Sequence, residues 1–453
     1  MAYFKKELSL VSGWGLNKWA KVNTFTPNNL KELVNFIKEA NSGSIIVRGS
    51  GRTYGDAAQI DEQNIINLEN FKKIKFNSLN TTLTVGGGTT LREIIKEIVP
   101  KGFFLPVVPG TSNITVGGAV ASDIHGKNHY QDGSFGNHII KISLVDGNGY
   151  VQELSPFIEN QKEKFWATVG GMGLTGVIYE VDINLLPISS SLITVDTKRF
   201  KNIEDLMMEM DKNASNYKYS VAWIDSLHKK FRGVLTRGNH LKLENLNIEE
   251  KNNPLLVRDI KVRSKPKFLT KIFLNKLTVK VFNTLWFYKS PKDEIGKHES
   301  ISNFFHPLDA IKDWNKIYGS KGFIQYQFFI PNASKEKIKF VLEYFKLKGV
   351  PCFLTVLKKF GKRNLSYLSF PDEGWTLTTD IPNCIPQINE IINFLDNEIA
   401  KSGGKIYLTK DSMLTGDMFK KTYPFLKKWK KVKRELDPKL KFVSDMSKRL
   451  KIF

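Results

Sequence analysis

Three separated runs of small residues constrain this chain more than any other feature. The first run, Val47 to Ala57, reads Val-Arg-Gly-Ser-Gly-Arg-Thr-Tyr-Gly-Asp-Ala and follows the apolar pair Ile45-Ile46. Closely spaced glycines after a predicted strand let backbone N–H groups converge on an anion, because no Cβ atoms block the approach. The other runs extend from Pro109 to Gly136 and from Gly170 to Gly176. Since an ordinary turn needs no such companions, we interpret the first run as a pyrophosphate cradle.

The glycine spacing argues against one common class of nucleotide site. A Gly-x-Gly-x-x-Gly fingerprint that starts at Gly49 would need a glycine where the chain has Tyr54. No long helical pattern follows the run either. The sequence therefore does not predict a Rossmann enzyme.

Length and composition are those of a large globular protein. The 453 residues are enough for about two to three domains. The two cysteines, Cys352 and Cys384, imply no disulfide framework and favour a reducing compartment. We find no apolar core of a secretory signal in the stretch from Met1 to Ala20, and no apolar run of the roughly 20 residues that span a bilayer. We expect a cytoplasmic protein that is soluble or held at the inner face of a membrane.

The formal net charge of +23 favours a polyanionic ligand, although a general richness in lysine would give the same value. The segment from Arg258 to Lys289 alternates cations with large apolar residues. It either lies on an anionic membrane surface or forms an amphipathic core helix with a solvated lysine face. The basic run from Lys427 to Arg434 is interpreted as a solvated helix face. No base-reading motif accompanies it, so no nucleic-acid partner is expected.

Local patterns predict short strands and amphipathic helices. Thr26-Pro27 predicts the start of a helix that packs on a strand at Ile45 to Val47. Further strands are predicted at 65–68 and 82–85. A second helix follows Gly86-Gly87-Gly88, with its buried side formed by Leu91, Ile94, Ile95 and Ile98. The pattern is that of an α+β protein.

The second and third runs of small residues suit a large planar ligand. Gly110, Thr115, Gly117, Gly118, Ala119 and Ser122 would let the main chain lie flat against such a ligand and its phosphates. Asp123, His125, Lys127 and His129 add polar groups at its edge. The third run lies within the stretch from Phe165 to Ile178, which leads into an alternating strand.

These runs, in this order, resemble the FAD-binding half of flavoproteins of the vanillyl-alcohol-oxidase type. Within that superfamily the chain is most similar to the decaprenylphosphoryl-β-D-ribose 2'-oxidase family. The shared wording covers nearly the whole chain: Gly13-Trp14-Gly15, Asp123 to His129, Gly133 to His138, Phe165 to Gly171, His306 to Asp309, Gln325-Tyr326-Gln327, Lys410-Asp411-Ser412, Asp437-Pro438 and Ser444-Asp445-Met446.

The resemblance implies the architecture and the activity. It implies an FAD domain at 1–189, an inserted α+β substrate domain on an antiparallel sheet at 190–404, and a return at 405–453 that completes the FAD domain. The implied reaction oxidises the 2'-hydroxyl of a polyprenyl-phosphate-linked ribose, and an NAD(P)H-dependent reductase then yields the arabinose epimer. The alternatives are a sugar-lactone or alditol oxidase and a basic binding protein whose glycines are only structural.

The resemblance also implies the cofactor and its site. The expected cofactor is FAD, and no metal site is expected. In covalent relatives a histidine follows the second glycine of the cradle; here that position holds Arg52, which predicts non-covalent FAD. The predicted cofactor residues are Val47, Arg48, Gly49, Ser50, Gly51, Arg52, Thr53, Tyr54, Gly55, Asp56, Ala57, Gly110, Thr115, Val116, Gly117, Gly118, Ser122, Asp123, Ile124, His125, Ile178 and Tyr407.

Catalytic and substrate residues follow in the same way. Lys410 matches the family's lysine beside the flavin, and its ammonium would stabilise negative charge or orient the sugar hydroxyl. His125 is a candidate acceptor of the hydroxyl proton, and Tyr54 a candidate positioning group. The predicted substrate residues are Lys127, Trp223, Gln325, Gln327, Lys358 and Thr378. Thr378 replaces a cysteine of mycobacterial members, which leaves the exact sugar and lipid carrier open.

Overall fold

The computed structural model of the protein describes residues 6–258, 262 and 275–453. Most of the first half of the segment from Arg258 to Lys289, residues 259–261 and 263–274, lies outside the described residues. Within the described ranges, no helix is both long and apolar enough to cross a bilayer.

The strands and helices follow one another in a mixed order. The strands are β1 (Lys6–Ser12), β2 (Trp19–Phe25), β3 (Ile45–Arg48), β4 (Asn64–Asn67), β5 (Ile74–Asn77), β6 (Thr82–Gly86), β7 (Phe103–Phe104), β8 (Ile139–Val145), β9 (Val151–Leu154), β10 (Val177–Asn184), β11 (Leu186–Pro187), β12 (Leu192–Phe200), β13 (Tyr219–Ile224), β14 (Gly233–His240), β15 (Asp293–Ser300), β16 (Phe323–Pro331), β17 (Thr355–Phe360), β18 (Gly374–Pro382) and β19 (Lys405–Ile406). The α-helices are α1 (Leu30–Glu39), α2 (Leu91–Ile98), α3 (Val116–Ala121), α4 (His129–Asp132), α5 (Glu159–Thr168), α6 (Ile203–Lys212), α7 (Ile248–Asn252), α8 (Lys276–Lys289), α9 (Ile301–Phe305), α10 (Lys337–Leu347), α11 (Ile388–Lys401), α12 (Gly416–Thr422), α13 (Leu426–Leu436) and α14 (Asp445–Arg449). The predicted α+β class is confirmed.

A four-stranded sheet has the order β1-β2-β4-β3, and the first run of small residues begins at the end of β3. The predicted strand at Ile45 to Val47 is confirmed as β3, which pairs in parallel with β4. The predicted helix start at Thr26-Pro27 is wrong. Helix α1 begins at Leu30, because the side chain of Asn29 caps it by accepting from the amide of Glu32 at 3.0 Å.

A five-stranded antiparallel sheet in the order β5-β6-β10-β8-β9 forms the other half of this region. Thr90 caps helix α2 with a full capping box. All four apolar residues predicted for its inner side, Leu91, Ile94, Ile95 and Ile98, are buried. The predicted strand 82–85 is confirmed as β6.

An eight-stranded sheet has the order β15-β12-β14-β13-β17-β18-β16-β19. One face of its centre packs against α10 and α11, where Tyr326 meets Phe345 and donates to Asp396 at 2.8 Å. Because side chains alternate along a strand, the neighbours of Tyr326 in β16 point to the other face. That second face carries the polar residues described below.

The last part of the chain packs back on the first sheets. Trp429 donates its indole N–H to Ala167 at 2.9 Å, and Phe442 forms a parallel bridge with Ile45. The interpretation of residues 427–434 as a solvated face is wrong for Lys433, which is fully buried and paired with Asp437. The division at 190 and 405 stays a prediction; strand β19, just after 404, adds to the eight-stranded sheet.

Candidate active site

A cavity of about 350 Å³ lies where the ends of β3, β4, β6 and β10 meet helix α3. All three runs of small residues contribute to its wall. The predicted cofactor residues that line it are Val47, Arg48, Gly49, Ser50, Gly51, Arg52, Thr53, Ala57, Thr115, Gly117, Gly118, Ser122, Ile124 and Ile178.

The cradle presents unused hydrogen-bond donors to this cavity. The amides of residues 50–53 donate to no protein acceptor among the described residues. The Nε atom of Arg52 and the Oγ1 atom of Thr53 are buried and likewise have no partner in the described ranges. Gly51 has a φ of +63°, which favours glycine. Because buried donors need acceptors, this cluster suits a bound anion such as a pyrophosphate.

The second run packs closely on the cradle. A Cβ atom on Gly49 would lie 2.3 Å from Oγ1 of Thr115, so only glycine fits there. The same Oγ1 accepts from the amide of Gly118 at 3.3 Å and begins helix α3. Gly117 donates to the carbonyl oxygen of Gly87 at 2.9 Å. The small residues therefore bring two segments together and leave a flat wall beside them.

Other predicted cofactor residues lie outside the cavity wall: Tyr54, Gly55, Asp56, Gly110, Val116, Asp123, His125 and Tyr407. The Asp56 carboxylate pairs with Arg449 at 2.7 Å and with Lys18 at 2.8 Å. The Asp123 carboxylate accepts from Ser134, Ser369, Asn364 and the amide of Gly136. Both carboxylates thus bind other groups of the protein. Their assignment to the cofactor stays a prediction.

Further lining residues were not assigned individually from the sequence: Ala58, Asn67, Leu68, Glu69, Lys72, Gly87, Gly88, Thr90, Ile114, Ala121, Met172, Gly173, Gly176 and Thr409. The glycine runs at 86–88 and 170–176 were visible signals for some of them. Asn67 to Lys72 and Thr409 carried no such signal.

A polar cluster covers one face of the eight-stranded sheet next to this cavity. In the register of the sheet, Gln327 pairs with Thr378, and Thr378 with Val356. Val356 in turn pairs with Trp223. Two residues along the strands, Gln325 pairs with Asp380 and Lys358 with Thr376. Since paired residues point to the same side, the predicted substrate residues Gln325, Gln327, Thr378, Lys358 and Trp223 share one face.

His125 joins the cavity to this sheet face. The preceding residue, Ile124, lines the cavity. The imidazole of His125 lies 3.0 Å from Nε2 of Gln327 through its Nε2 atom and 3.3 Å from Nζ of Lys358 through its Nδ1 atom. Burial and the neighbouring Lys358 charge hold its pKa well below the usual value. The ring is therefore neutral at neutral pH, and one of its two nitrogen atoms accepts a hydrogen bond.

Lys410 forms the second junction. The preceding residue, Thr409, lines the cavity, and its carbonyl oxygen accepts from the amide of Tyr54 at 3.0 Å. Nζ of Lys410 lies 3.8 Å from the ring centroid of Tyr54. Burial lowers the pKa of Lys410 to about 7, although the Asp380 carboxylate opposes this shift. Near neutral pH this lysine is therefore present in both its neutral and its protonated form.

Lys127 and Lys358 add positive charge to the polar face. Lys127 donates to the carbonyl oxygen of Phe304 and lies 4.1 Å from that ring centroid. Burial lowers the pKa of Lys127 to about 7 and that of Lys358 to about 8. Within the described part of the chain, no carboxylate forms an ion pair with Lys127, Lys358 or Lys410. An anionic ligand would supply the missing countercharge.

Asp380, the acid whose charge acts on Lys410, accepts hydrogen bonds from two uncharged side chains. Gln325 donates to it at 2.6 Å and Tyr318 at 3.1 Å. Burial raises the pKa of this carboxyl group to about 7. Asp380 was not predicted from the sequence, because only the register of β16 and β18 places it beside Gln325.

The residues present fit FAD. The free amides of the cradle suit its pyrophosphate, and the glycine-rich wall admits its planar ring. The FAD binding domain family model matches residues 23–155, which include the cradle and helix α3. The fold, the cavity and this match define an FAD-dependent oxidoreductase with an FAD-binding domain of the vanillyl-alcohol-oxidase type.

A comparison over the full length identifies the family. The decaprenylphosphoryl-beta-D-ribose oxidase of Mycolicibacterium smegmatis is 35% identical over 448 residues, which are 97% of this chain and 97% of the relative. At that identity and coverage, the chain belongs to the decaprenylphosphoryl-β-D-ribose oxidase family. The family prediction made from the sequence motifs is thus confirmed.

Two other relatives are more distant. An uncharacterized protein of Streptomyces coelicolor is 26% identical over 371 residues, which are 80% of this chain and 99% of the relative. The D-arabinono-1,4-lactone oxidase of Saccharomyces cerevisiae is 24% identical over 243 residues, or 52% of this chain and 44% of the relative. The likeness to the lactone oxidase covers about half of this chain, which disfavours the lactone-oxidase alternative.

Proposed function

We propose that this protein oxidises the 2'-hydroxyl group of a ribose linked to a polyprenyl phosphate and releases the 2'-keto sugar. The observation that carries the proposal is the cationic polar face of the eight-stranded sheet beside the FAD cavity. His125 and Lys410 lie between the cavity and this face. Lysines that form no ion pair within the described part of the chain suit a phosphorylated substrate better than a neutral lactone or alditol. Similarity to the mycobacterial oxidase over nearly the whole chain supports the same substrate class.

The reaction breaks the C–H bond at the carbinol carbon and the O–H bond of the hydroxyl group. When bound, FAD supplies the two-electron acceptor that takes the hydride. The protein must take the remaining proton. Lys410, with a pKa near 7, accepts this proton as a neutral amine, and the ammonium that forms offsets negative charge in the site.

His125 and the glutamines orient the sugar. The neutral imidazole, in contact with Lys358 and Gln327, is the candidate to form a hydrogen bond with the hydroxyl group. Gln325 and Gln327 lie on the same sheet face and suit the other hydroxyl groups. Lys127 and Lys358 are the candidates for the phosphate oxygens, and Trp223 for a sugar face.

The proposed product needs a second enzyme. A 2'-keto sugar becomes the arabinose epimer only when a hydride donor reduces it from the opposite side. We therefore propose an NAD(P)H-dependent keto-sugar reductase as a functional partner, in a pathway that supplies cell-envelope glycans. We place the protein in the cytoplasm or peripherally at the inner face of the membrane.

Anaerobic bleaching of the flavin absorbance tests the substrate assignment. The panel contains a polyprenyl-phosphoryl ribose, free ribose, an aldonolactone and an alditol. We expect rapid bleaching with the lipid-linked ribose only. Bleaching by the lactone or the alditol, with no response to the lipid-linked sugar, would overturn the proposal.

We also propose that FAD is bound without a covalent link, because Arg52 stands where covalent relatives have histidine. The guanidinium of Arg52 lies 3.8 Å from the ring centroid of Trp14, and an arginine lacks the imidazole ring that forms the covalent link. Acid denaturation of the holoenzyme should release the yellow colour into the supernatant. Colour that stays in the pellet would contradict the assignment.

A further inference from the structure

Helix α8 (Lys276–Lys289) is held on the protein by one narrow stripe. Val279, Asn283 and Phe287 are buried at four-residue intervals along one side. Asn283 donates to Asp225 at 2.9 Å. Arg232 donates to the hydroxyl group of Thr284 at 3.0 Å. These contacts fix the orientation of the helix, so its opposite side faces outward.

The outward side of α8 is also apolar. Leu277, Val281, Leu285 and Tyr288 follow the i, i+4, i+8 and i+11 spacing of a single helix face, opposite the buried stripe. Leu277 is 70% exposed and Leu285 is 66% exposed. Phe282 and Trp286 lie on one flank and are about half exposed, with their rings stacked 6.3 Å apart. An apolar face of this size in water indicates a surface that something covers.

The charged side chains on helix α8 all have one sign. Lys276, Lys280 and Lys289 are exposed on the helix, and the helix itself contains no acidic residue. Within the described ranges, no carboxylate pairs with these three lysines. A self-complementary contact between two copies would bring these cations together, which costs free energy. An anionic surface instead matches the cations and accepts the apolar face.

We propose that the outward face of helix α8 rests on the anionic headgroup region of a lipid bilayer. Leu277, Val281 and Leu285 enter the boundary between headgroups and acyl chains, and the lysines contact the anionic headgroups. The helix has 14 residues, too few to span the roughly 30 Å hydrocarbon core, so it lies in the plane of the surface.

The proposed surface also lies close to the candidate active site. The ring of Phe282 lies 5.4 Å from that of Phe353, which lies 6.2 Å from that of Tyr318. Tyr318 donates to Asp380 on the polar sheet face. Three successive side-chain contacts therefore link helix α8 to Asp380 on the polar sheet face. The membrane proposal itself does not depend on the identity of the substrate.

Vesicle flotation of the full-length holoenzyme tests the proposal. One set of vesicles is pure phosphatidylcholine, and the other contains about a third phosphatidylglycerol. We expect binding to the anionic vesicles that weakens as salt is added. Leu285→Glu should weaken binding about tenfold or more, because it places a charge in the apolar face. Lys276→Gln, Lys280→Gln and Lys289→Gln should each weaken it on the order of fivefold.

Leu347→Glu is the matched control, because Leu347 is a 79% exposed leucine at the end of α10. It should leave flotation unchanged. Flavin content and melting temperature, compared among all variants, verify folding. Equal flotation of Leu285→Glu and the unaltered protein would overturn the proposal. So would sedimentation showing that Leu285→Glu turns a dimer into a monomer while flotation is unchanged, since the face would then join two copies.

Discussion

Three lysine side chains carry most of the electrostatic character of the candidate active site. Lys127, Lys358 and Lys410 are packed into one region where burial lowers the pKa of each. A buried ammonium without a carboxylate partner raises the free energy of the protein. A bound anion removes that cost, so the same arrangement that destabilises the free protein favours a phosphorylated ligand.

The pH dependence of flavin reduction tests the role of Lys410. Its pKa of about 7 means that the neutral amine increases as the pH rises through that value. The rate of the reductive half-reaction should therefore rise with pH and level off above about pH 8. Lys410→Gln should lower the rate about a hundredfold or more and flatten the profile. A Lys410→Gln enzyme with full flavin content and an unchanged pH profile would refute the assignment.

Adjacent lysines on opposite sheet faces allow a matched test of phosphate recognition. Lys358 contacts His125 on the polar face, whereas Lys359 pairs with Asp211 on the other face. Lys358→Gln should raise the KM for the lipid-linked sugar about tenfold, because a charged hydrogen bond to phosphate is lost. Lys359→Gln should leave KM unchanged. Steady-state kinetics with equal KM changes in both variants would contradict this role.

At the scale of elements, the cradle and helix α3 work as one unit. Gly49 and Thr115 touch, and the run of free amides follows directly. The cavity wall thus depends on a contact between two loops that lie far apart in the sequence. Any side chain at Gly49 pushes these loops apart.

Gly49→Ala should therefore weaken FAD binding. The added Cβ atom would lie 2.3 Å from Oγ1 of Thr115, a distance that real contacts do not reach. We expect the purified variant to lose most of its flavin and its apoprotein to bind added FAD about tenfold or more weakly, as measured by quenching of flavin fluorescence. Removing the clashing atom in the double variant Gly49→Ala/Thr115→Ala should restore part of the affinity. No difference between the single variant and the native protein would contradict the contact.

In two basic helices, α8 and α13, tertiary packing decides which side chains are exposed. The cationic run in α13 reads as a solvated face, yet Lys433 is buried beside Asp437. Helix α8 has apolar residues all round, and the sequence left open whether it belonged to the core. The structure buries only one stripe. Exposure was undecidable from periodicity because both faces of α8 are apolar.

At the scale of the whole molecule, the C-terminal return ties the chain together. Arg449 contacts Asp56 in the first run and Asp411 beside Lys410. Burial opposes ionisation of Asp56, but Arg449 and Lys18 outweigh it and lower its pKa. One guanidinium thus connects the first run of small residues, the loop that contains Lys410 and the last helix.

Arg449→Ala should destabilise the protein by about 3 kcal/mol, because it leaves the buried Asp56 carboxylate without its main partner. Urea unfolding near pH 7 measures the loss. The difference should shrink as the pH falls below the ordinary carboxyl range and through the lowered pKa of Asp56, since the protonated carboxyl group no longer attracts the guanidinium. Arg434→Ala, an exposed arginine on α13, should change stability by about 0.5 kcal/mol or less. A loss as large in Arg434→Ala would argue against the ion-pair explanation.

The sequence by itself determined most of the local elements that we predicted, the three runs of small residues and the family. These features depend on residues close together in the sequence, so they can be predicted from the sequence alone. Examples are the glycine runs, the short motifs and helix faces such as Leu91 to Ile98. Only the tertiary structure decided that Gln327, Thr378, Lys358 and Trp223 share one sheet face, that Asp380 joins them, and that α8 keeps a bare apolar side. Strand register and burial depend on residues far away in the chain, and a local sequence pattern does not specify which distant strand or helix will pack there.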